Sequence, residues 1–245
     1  MFHVKHSEPY SALEAEPIRR LLVALGLNAD EQTVHRLLGH ANMVLDWNTR
    51  VNLTRIVEPA EVERLHIADS LAFLMHVGPL DAPIVDIGSG AGYPGIPVAV
   101  VTGMRVCLCE SVGKKAAFLQ AAIAALGIDA DVFAGRAERY ADQHREVANT
   151  VLARAVSSLP SLVELASPLL QPGGRLMALK GSPGEEELHR GRAAAGLCGM
   201  SEASVTEYGL PGGDESRCVV VYEKVGRPTV KLPRREGMAQ RDPLA

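Results

Sequence analysis

At 245 residues the chain suits one large domain or a core with an appendage, and its 47% hydrophobic content is enough to fill a full-sized interior. Lys and Arg number 25 against 29 Asp and Glu, a formal net charge of -4, which excludes a uniformly basic nucleic-acid coat. Apolar runs are short and interrupted, and the start MFHVKHSEPYSALEAEP lacks the apolar centre of a signal peptide, so a cytoplasmic protein with no membrane partner is expected.

Residues 10–80 read as helices. PIRRLLVALGL and QTVHRLLGHANMVLDW place apolar residues three and four apart, and PAEVERLHIADSLAFLMHV does so again. Pro59 followed by Glu61 and Glu63 suits a helix start. From Ala82 the pattern changes to short β-rich runs, PIVDIG, RVCLCE, DVFAG, TVLARA and RLMALKG, alternating with helical stretches such as KKAAFLQAAIAAL and LPSLVELASPLL. That alternation predicts βαβ units and a parallel sheet covered on both faces. Pro172, Gly173 and Gly174 make a turn into the fifth strand, while SEASVTEYGL and SRCVVVYEKV, separated by Pro211, Gly212 and Gly213, read as a closing hairpin. The expected division is a helical front at 1–80, a core at 81–225 and a tail at 226–245.

Cys107, Cys109, Cys198 and Cys218 form no CxxC pair and are expected to be reduced structural thiols, with no metal site. Beyond Gly226, Arg227, Lys231, Arg234, Arg235 and Arg241 face only Glu236 and Asp242. The tail is thus a candidate phosphate-contacting arm; a solvated chain end is the alternative.

The stretch IVDIGSGAGYPGIPVAV carries the chemistry. A strand runs into Asp86, and glycines at 88, 90, 92 and 95 follow before a helix. In an open α/β sheet ligands bind beyond the carboxyl ends of the strands, where such a turn lets them approach the backbone. Two patterns compete. Residues 90–95 fit the GxGxxG of nicotinamide and flavin folds, and residues 86–92 fit the DxGxGxG of S-adenosylmethionine enzymes. Register favours the second, because Asp86 and Gly88 close the strand directly whereas Gly90 lies beyond it. Glu110, ending the second strand, stands where an acidic residue reaches a ribose in either case.

The chain also resembles a known family, the bacterial small-subunit ribosomal RNA guanine-N7 methyltransferases called RsmG or GidB. The matching segments are WNTRVNLT (47–54), LHIADSL (65–71), the glycine stretch itself, CESVGKKAAFL (109–119), GRAE (135–138), ARAVSSLPSLVELASPLL (153–170) and GGRLMALKG (173–181), in family order. The resemblance implies an α/β class I S-adenosylmethionine-dependent methyltransferase fold, Rossmann-like with a seven-stranded mostly parallel sheet and an N-terminal helical cap. It implies S-adenosylmethionine as cofactor, lying along Gly88, Gly90 and Tyr93, with Ala137 and Glu138 near its adenine, Glu110 at the ribose, Asp86 at the methionine end and Arg154 beyond the fourth strand. The implied partner is 16S ribosomal RNA or the small-subunit particle; apart from the resemblance, a monomer is favoured without the sequence fixing the number of subunits. Tyr93 replaces a bulky apolar residue of the family, and the tail keeps the family's basic, proline-containing character but has Thr229-Val230 and Leu232-Pro233 where the family has threonine-proline and tyrosine-proline steps.

Guanine N7 offers a free lone pair, so no residue need remove a proton, and no Cys nucleophile or His–carboxylate pair stands in a motif position. Arg154 and Lys180 end neighbouring strands on the cofactor side and are the candidate catalytic residues, contacting guanine, RNA phosphate or the methionine carboxylate; an ion pair with Asp86 or Glu164 is the structural alternative. His66 and Asp69 share a helical face, with His66 expected to be a satisfied, partly buried histidine. Arg50, Arg55, Arg64, Lys114 and Lys115 are candidate RNA contacts. Rival readings are a methyltransferase for another RNA or a small molecule, a nicotinamide oxidoreductase, and a non-catalytic ribosome-assembly factor.

Overall fold

The computed structural model describes residues 13–245; the chain start read above for a signal peptide lies largely outside them. Helices α1 (Ala15–Ala24) and α2 (Glu31–Asn48) form the front. Asp30 caps α2, its Oδ1 accepting from Thr33 N at 2.7 Å, a contact worth about 1 kcal/mol. The third stretch is not the single helix that its apolar spacing suggests. It comprises α3 (Pro59–Val62), a π-helical segment (Glu63–Ala68), α4 (Asp69–Leu71) and a 3-10 turn (Ala72–Met75). Widening of the middle turn carries His66 inward beside the glycine loop, a use typical of π segments.

Seven strands follow among the described residues: β1 (Ile84–Ile87), β2 (Val106–Glu110), β3 (Ala130–Ala134), β4 (Ala148–Arg154), β5 (Leu170–Lys180), β6 (Met200–Gly209) and β7 (Ser216–Lys224). They lie in one sheet in the order β3-β2-β1-β4-β5-β7-β6. The first five run parallel, and β7 pairs antiparallel with both β5 and β6, as the hairpin reading requires. Between β4 and β5, Ala148 pairs with Leu170 and Thr150 with Arg175, so residues 171–174 stand opposite Asn149 alone as a bulge within β5, and the expected turn at 172–174 lies inside the strand and not before it. The crossovers are α5 (Gly95–Thr102), α6 (Gly113–Leu126), α7 (Ala137–Gln143) and α8 (Leu159–Ala166); α9 (Glu185–Leu197) precedes β6, and a short α10 (Met238–Arg241) ends the chain.

Strand alternation sorts side chains into two layers. Ile84, Val106 and Leu108 face the cluster built with the front helices, α5 and α6; Val85, Ile87 and Cys109 face the cluster built with α8, α9 and the tail. Ile18, Leu22, Phe73 and Phe118 are fully buried in the first, each contributing about 1.5–3 kcal/mol. The front helices therefore share a core with the sheet. All four cysteines are free thiols. No helix is long and apolar enough to cross a membrane among the described residues.

Candidate active site

The turn between β1 and α5 is bound from below. Gly88 N donates to the Cys109 carbonyl at 2.8 Å, Ser89 Oγ to the Asp86 carbonyl at 2.9 Å, and Gly95 N to Asp86 Oδ2 at 3.2 Å. Gly88 and Gly90 hold φ of 71° and 57°, where a side chain would be strained. Asp86 is fully buried beneath α5 and does not line the adjacent cavities; burial pushes its carboxyl up to about 7, and Oδ1 has no partner among the described residues.

Above the turn lies a cavity of about 230 Å³ lined by Leu53, Thr54, His66, Tyr93, Glu110, Lys115, Arg154 and Ala155 with the glycine backbone. Glu110 joins its two sides: Oε2 accepts from Gly90 N at 2.9 Å and Oε1 from Val112 N at 2.7 Å, which fixes the carboxylate in the wall. Each oxygen keeps a lone pair for a hydroxyl donor.

The roof comes from the front of the chain. Asn48 accepts from Leu53 N and Thr54 N at 2.8 and 3.0 Å and donates to the Thr54 carbonyl at 2.9 Å, which explains the second Asn-to-Thr half of WNTRVNLT as a tied loop. Thr54 Oγ1 meets His66 Nε2 at 2.8 Å, and Arg154 Nη2 lies 3.4 Å from His66 Nδ1. Arginine only donates, so Nδ1 is the acceptor and Nε2 carries the proton. Burial first, then the Arg154 charge, pushes His66 down to about 3. Tyr93 is sandwiched between His66, stacked at 4.5 Å, and His40, at 4.6 Å. His40 Nε2 in turn donates to the Ala91 carbonyl at 2.8 Å, and its burial holds it neutral, near 4. Sequence reasoning missed His40 because its helix position reads as ordinary core.

Arg154 is not paired with Asp86 or Glu164. Its Nη1 donates to Asp69 Oδ2 at 2.9 Å and to the Leu65 carbonyl at 3.1 Å, and its guanidinium lies 5.5 Å from the Tyr93 ring centre. Asp69 also accepts from Arg217 Nε at 2.7 Å, across 148 positions of chain that no local pattern bridges. Lys180 pairs with Glu187 at 2.7 Å and donates to the Ser157 carbonyl at 3.1 Å. Arg154, Lys180, Arg217 and Asp69 line a second cavity of about 360 Å³, which shares Arg154 and Ala155 with the first. Ala155 holds φ of 55°, backbone strain stored where the two chambers meet. Among the other expected RNA contacts, Lys115 reaches the first chamber, Arg50 pairs with Asp46 at 2.8 Å, and Arg64 pairs with Glu215.

Toward the third strand the groove narrows to about 50 Å³ between Gly88, Cys109, Ala137, Glu138, Val156 and Gln240. A Cβ on Gly88 would stand 2.6 Å from Val156 Cγ2, so Val156 covers the bare face of the turn and separates this end from the larger chamber. Glu138 is buried, with Oε1 accepting from Gly237 N at 2.7 Å. Arg234 is bound bidentate to Glu164, 2.6 Å at both oxygens, so that tail residue is not a free phosphate contact.

The residues present fit S-adenosylmethionine: a Cβ-poor turn open to a cavity and a carboxylate fixed in the cavity wall at the end of β2. Residues 33–216 match the family described as rRNA small subunit methyltransferase G, GidB. The chain belongs to that family. It is 38% identical over 233 residues to the ribosomal RNA small subunit methyltransferase G of Roseiflexus castenholzii, covering 94% of this chain and 99% of that one. A protein of the same name from Roseiflexus sp. (strain RS-1) is 39% identical over 225 residues, covering 90% and 96%. Among solved structures, geranyl diphosphate methyltransferase in complex with SAM superposes with a TM-score of 0.52 at 17% identity, covering 68% of this chain and 88% of that one. That likeness carries the fold, and the order of the GidB sheet with its reversed β7 leaves no second βαβαβ half for a dinucleotide.

Proposed function

We propose that this member of the GidB family transfers a methyl group from S-adenosylmethionine to N7 of a guanine in 16S ribosomal RNA. The carrying observation is the pair of adjoining chambers that share Arg154 and Ala155, one floored by the glycine turn and Glu110, the other walled by Arg154, Lys180 and Arg217. In this reading the expected front at 1–80 is a helical cap over its described part, 13–80, with 81–225 the catalytic core and 226–245 the tail, and the protein works as a cytoplasmic monomer.

When bound, S-adenosylmethionine supplies a methyl group already activated on a sulfonium. Glu110 takes the ribose hydroxyls, the backbone at Gly88 and Gly90 lies along the cofactor with Tyr93 packed behind, Asp86 serves the methionine end from beneath, and Ala137 and Glu138 border the adenine. Arg154 holds the acceptor base against the first chamber, and Lys180 and Arg217 supply positive charge to the second. No side chain has to accept a proton from guanine N7, and the two buried histidines, held neutral at about 4 and 3, serve packing instead. The chain's contribution is orientation, worth several kcal/mol. In A-form RNA N7 faces a groove too narrow for side chains, so the target base must leave its stack or lie in a loop, and the 360 Å³ chamber offers it room.

Incubation with labelled S-adenosylmethionine and unmethylated small-subunit RNA tests the reading. Label recovered as 7-methylguanine supports it; label on another base or on small molecules alone assigns a different acceptor, and cofactor binding without transfer identifies an assembly factor. RNA affinity should fall linearly on a log–log plot against salt as counterions are released.

A further inference from the structure

The tail is fastened along the helical layer that α8 and α9 form on one face of the sheet. Leu232 and Ala239 are buried in the cluster that holds α8 and α9, Arg145 donates to the Leu232 carbonyl, and Arg234 clamps Glu164, which is only 2% exposed. The chain then turns at Gly237, whose φ of 76° aims its N–H at the buried Glu138 carboxylate. That turn leads into α10, and Gln240 of α10 stands in the wall of the narrow cavity beside Gly88, Gly135 and Ala137. Gln240 Oε1 accepts from Arg136 Nη1 at 3.2 Å, and its amide nitrogen donates to nothing among the described residues.

We infer that the tail completes the adenine subsite: Glu138 anchors the Gly237 turn, and α10 presents Gln240 to the edge of the purine. The inference rests on the functional reading above and deepens it. Glu138 is on this account a positioning residue, since its carboxylate is committed to the tail.

The chemistry of Gln240 selects adenine. Arg136 can only donate, so it holds Oε1 on its own side and leaves the amide N–H₂ for a ring-nitrogen acceptor, while the second lone pair of Oε1 meets an amino donor. Adenine offers that acceptor and donor side by side; a 6-keto purine offers a carbonyl and a ring N–H in their place. The cavity of about 50 Å³ holds little more than one water, so the base enters as the half-buried Val156 side chain swings aside while Arg136 keeps its hold on Gln240. That movement leaves α10 and the buried tail anchors at Leu232 and Glu164 in place.

The test is calorimetry on the full chain with S-adenosylhomocysteine and its 6-keto purine analogue. The unaltered protein should prefer the adenine compound, and Gln240→Ala should weaken that compound about tenfold, the low end of a two-point base contact, while changing the analogue little. Glu138→Ala should erode the same preference, and Glu138→Gln, which retains an acceptor for Gly237, should restore most of it. Equal affinities and an unchanged ratio in Gln240→Ala would overturn the inference, as would a variant that loses RNA affinity with both cofactor constants intact, since the tail would then be an RNA arm. Failure of the unaltered chain to bind either compound would strike the functional reading itself and the inference with it.

Discussion

The groove is closed at its two ends by opposite ends of the chain, and the two closures are built differently. At the end proposed for the methyl group, α2 and the π-helical segment clamp the glycine turn through buried contacts, His40 on the Ala91 carbonyl and Tyr93 between two imidazoles, while Asp69 holds Arg154 in a half-buried pair. At the end proposed for adenine the base of the cavity is buried, with Ile87, Cys109, Glu138 and Leu165, but its outer wall is the half-buried Val156 and the exposed Gln240, carried on a loop and a single helical turn. Reacting atoms must be held within fractions of an ångström, whereas a base edge needs only to be admitted and recognised. Rigidity therefore belongs to the first end and yielding to the second.

Substitutions at the methyl end should be the most damaging. Arg154→Ala removes the group that joins the two chambers and leaves Asp69 with Arg217 alone; turnover should fall about a hundredfold or more, with cofactor affinity changed far less, as separate kcat and Kd measurements will show. Equal loss in both would move Arg154 to the cofactor. Gly95→Ala comes next, because its Cβ would collide with Leu108 and lie 2.7 Å from Asp86 Oδ2; a loss of about 1–3 kcal/mol in urea unfolding is expected from overpacking.

The pH dependence probes the same end. His40 and His66 have folded pKa values of about 4 and 3 against an ordinary 6.5, so the stability they support is complete above 6.5 and drains away as pH falls toward those values. Asp86 has the opposite sign: raised from 3.8 to about 7, it favours the folded state at low pH and withdraws that contribution as pH climbs between those limits. Urea midpoints across this range should show both limbs, with His40→Gln flattening the acid one and Asp86→Asn the other.

The adenine end should tolerate more. Val156→Ala is expected to cost about 1 kcal/mol or less and to tighten cofactor binding, because it clears the space over Gly88; weaker binding would show that Val156 packs on the ligand instead. The smallest effect is expected at Arg50, whose pair with Asp46 is exposed. Arg50→Ala should leave stability within about 0.5 kcal/mol, and a reduced salt slope for RNA binding would mark it as a phosphate contact.

The features legible along the chain are local: the alternation that builds β1 to β5, the hairpin of β6 and β7, the turn at 88–95, and the acidic residue that ends β2. These follow from side-chain period, from the conformations open to glycine and proline, and from position at a strand end, all of which act over a few residues. Long-range packing settles the rest: six residues of the third helical stretch widen into a π turn, Arg154 answers to Asp69, and Arg217 joins it from β7. It also turned part of the basic tail inward, because Glu164 and Glu138, two buried carboxylates, need partners that water cannot reach to supply. Such pairings depend on which distant segments fold to within 3 Å of one another, and no period or spacing along the chain encodes that distance.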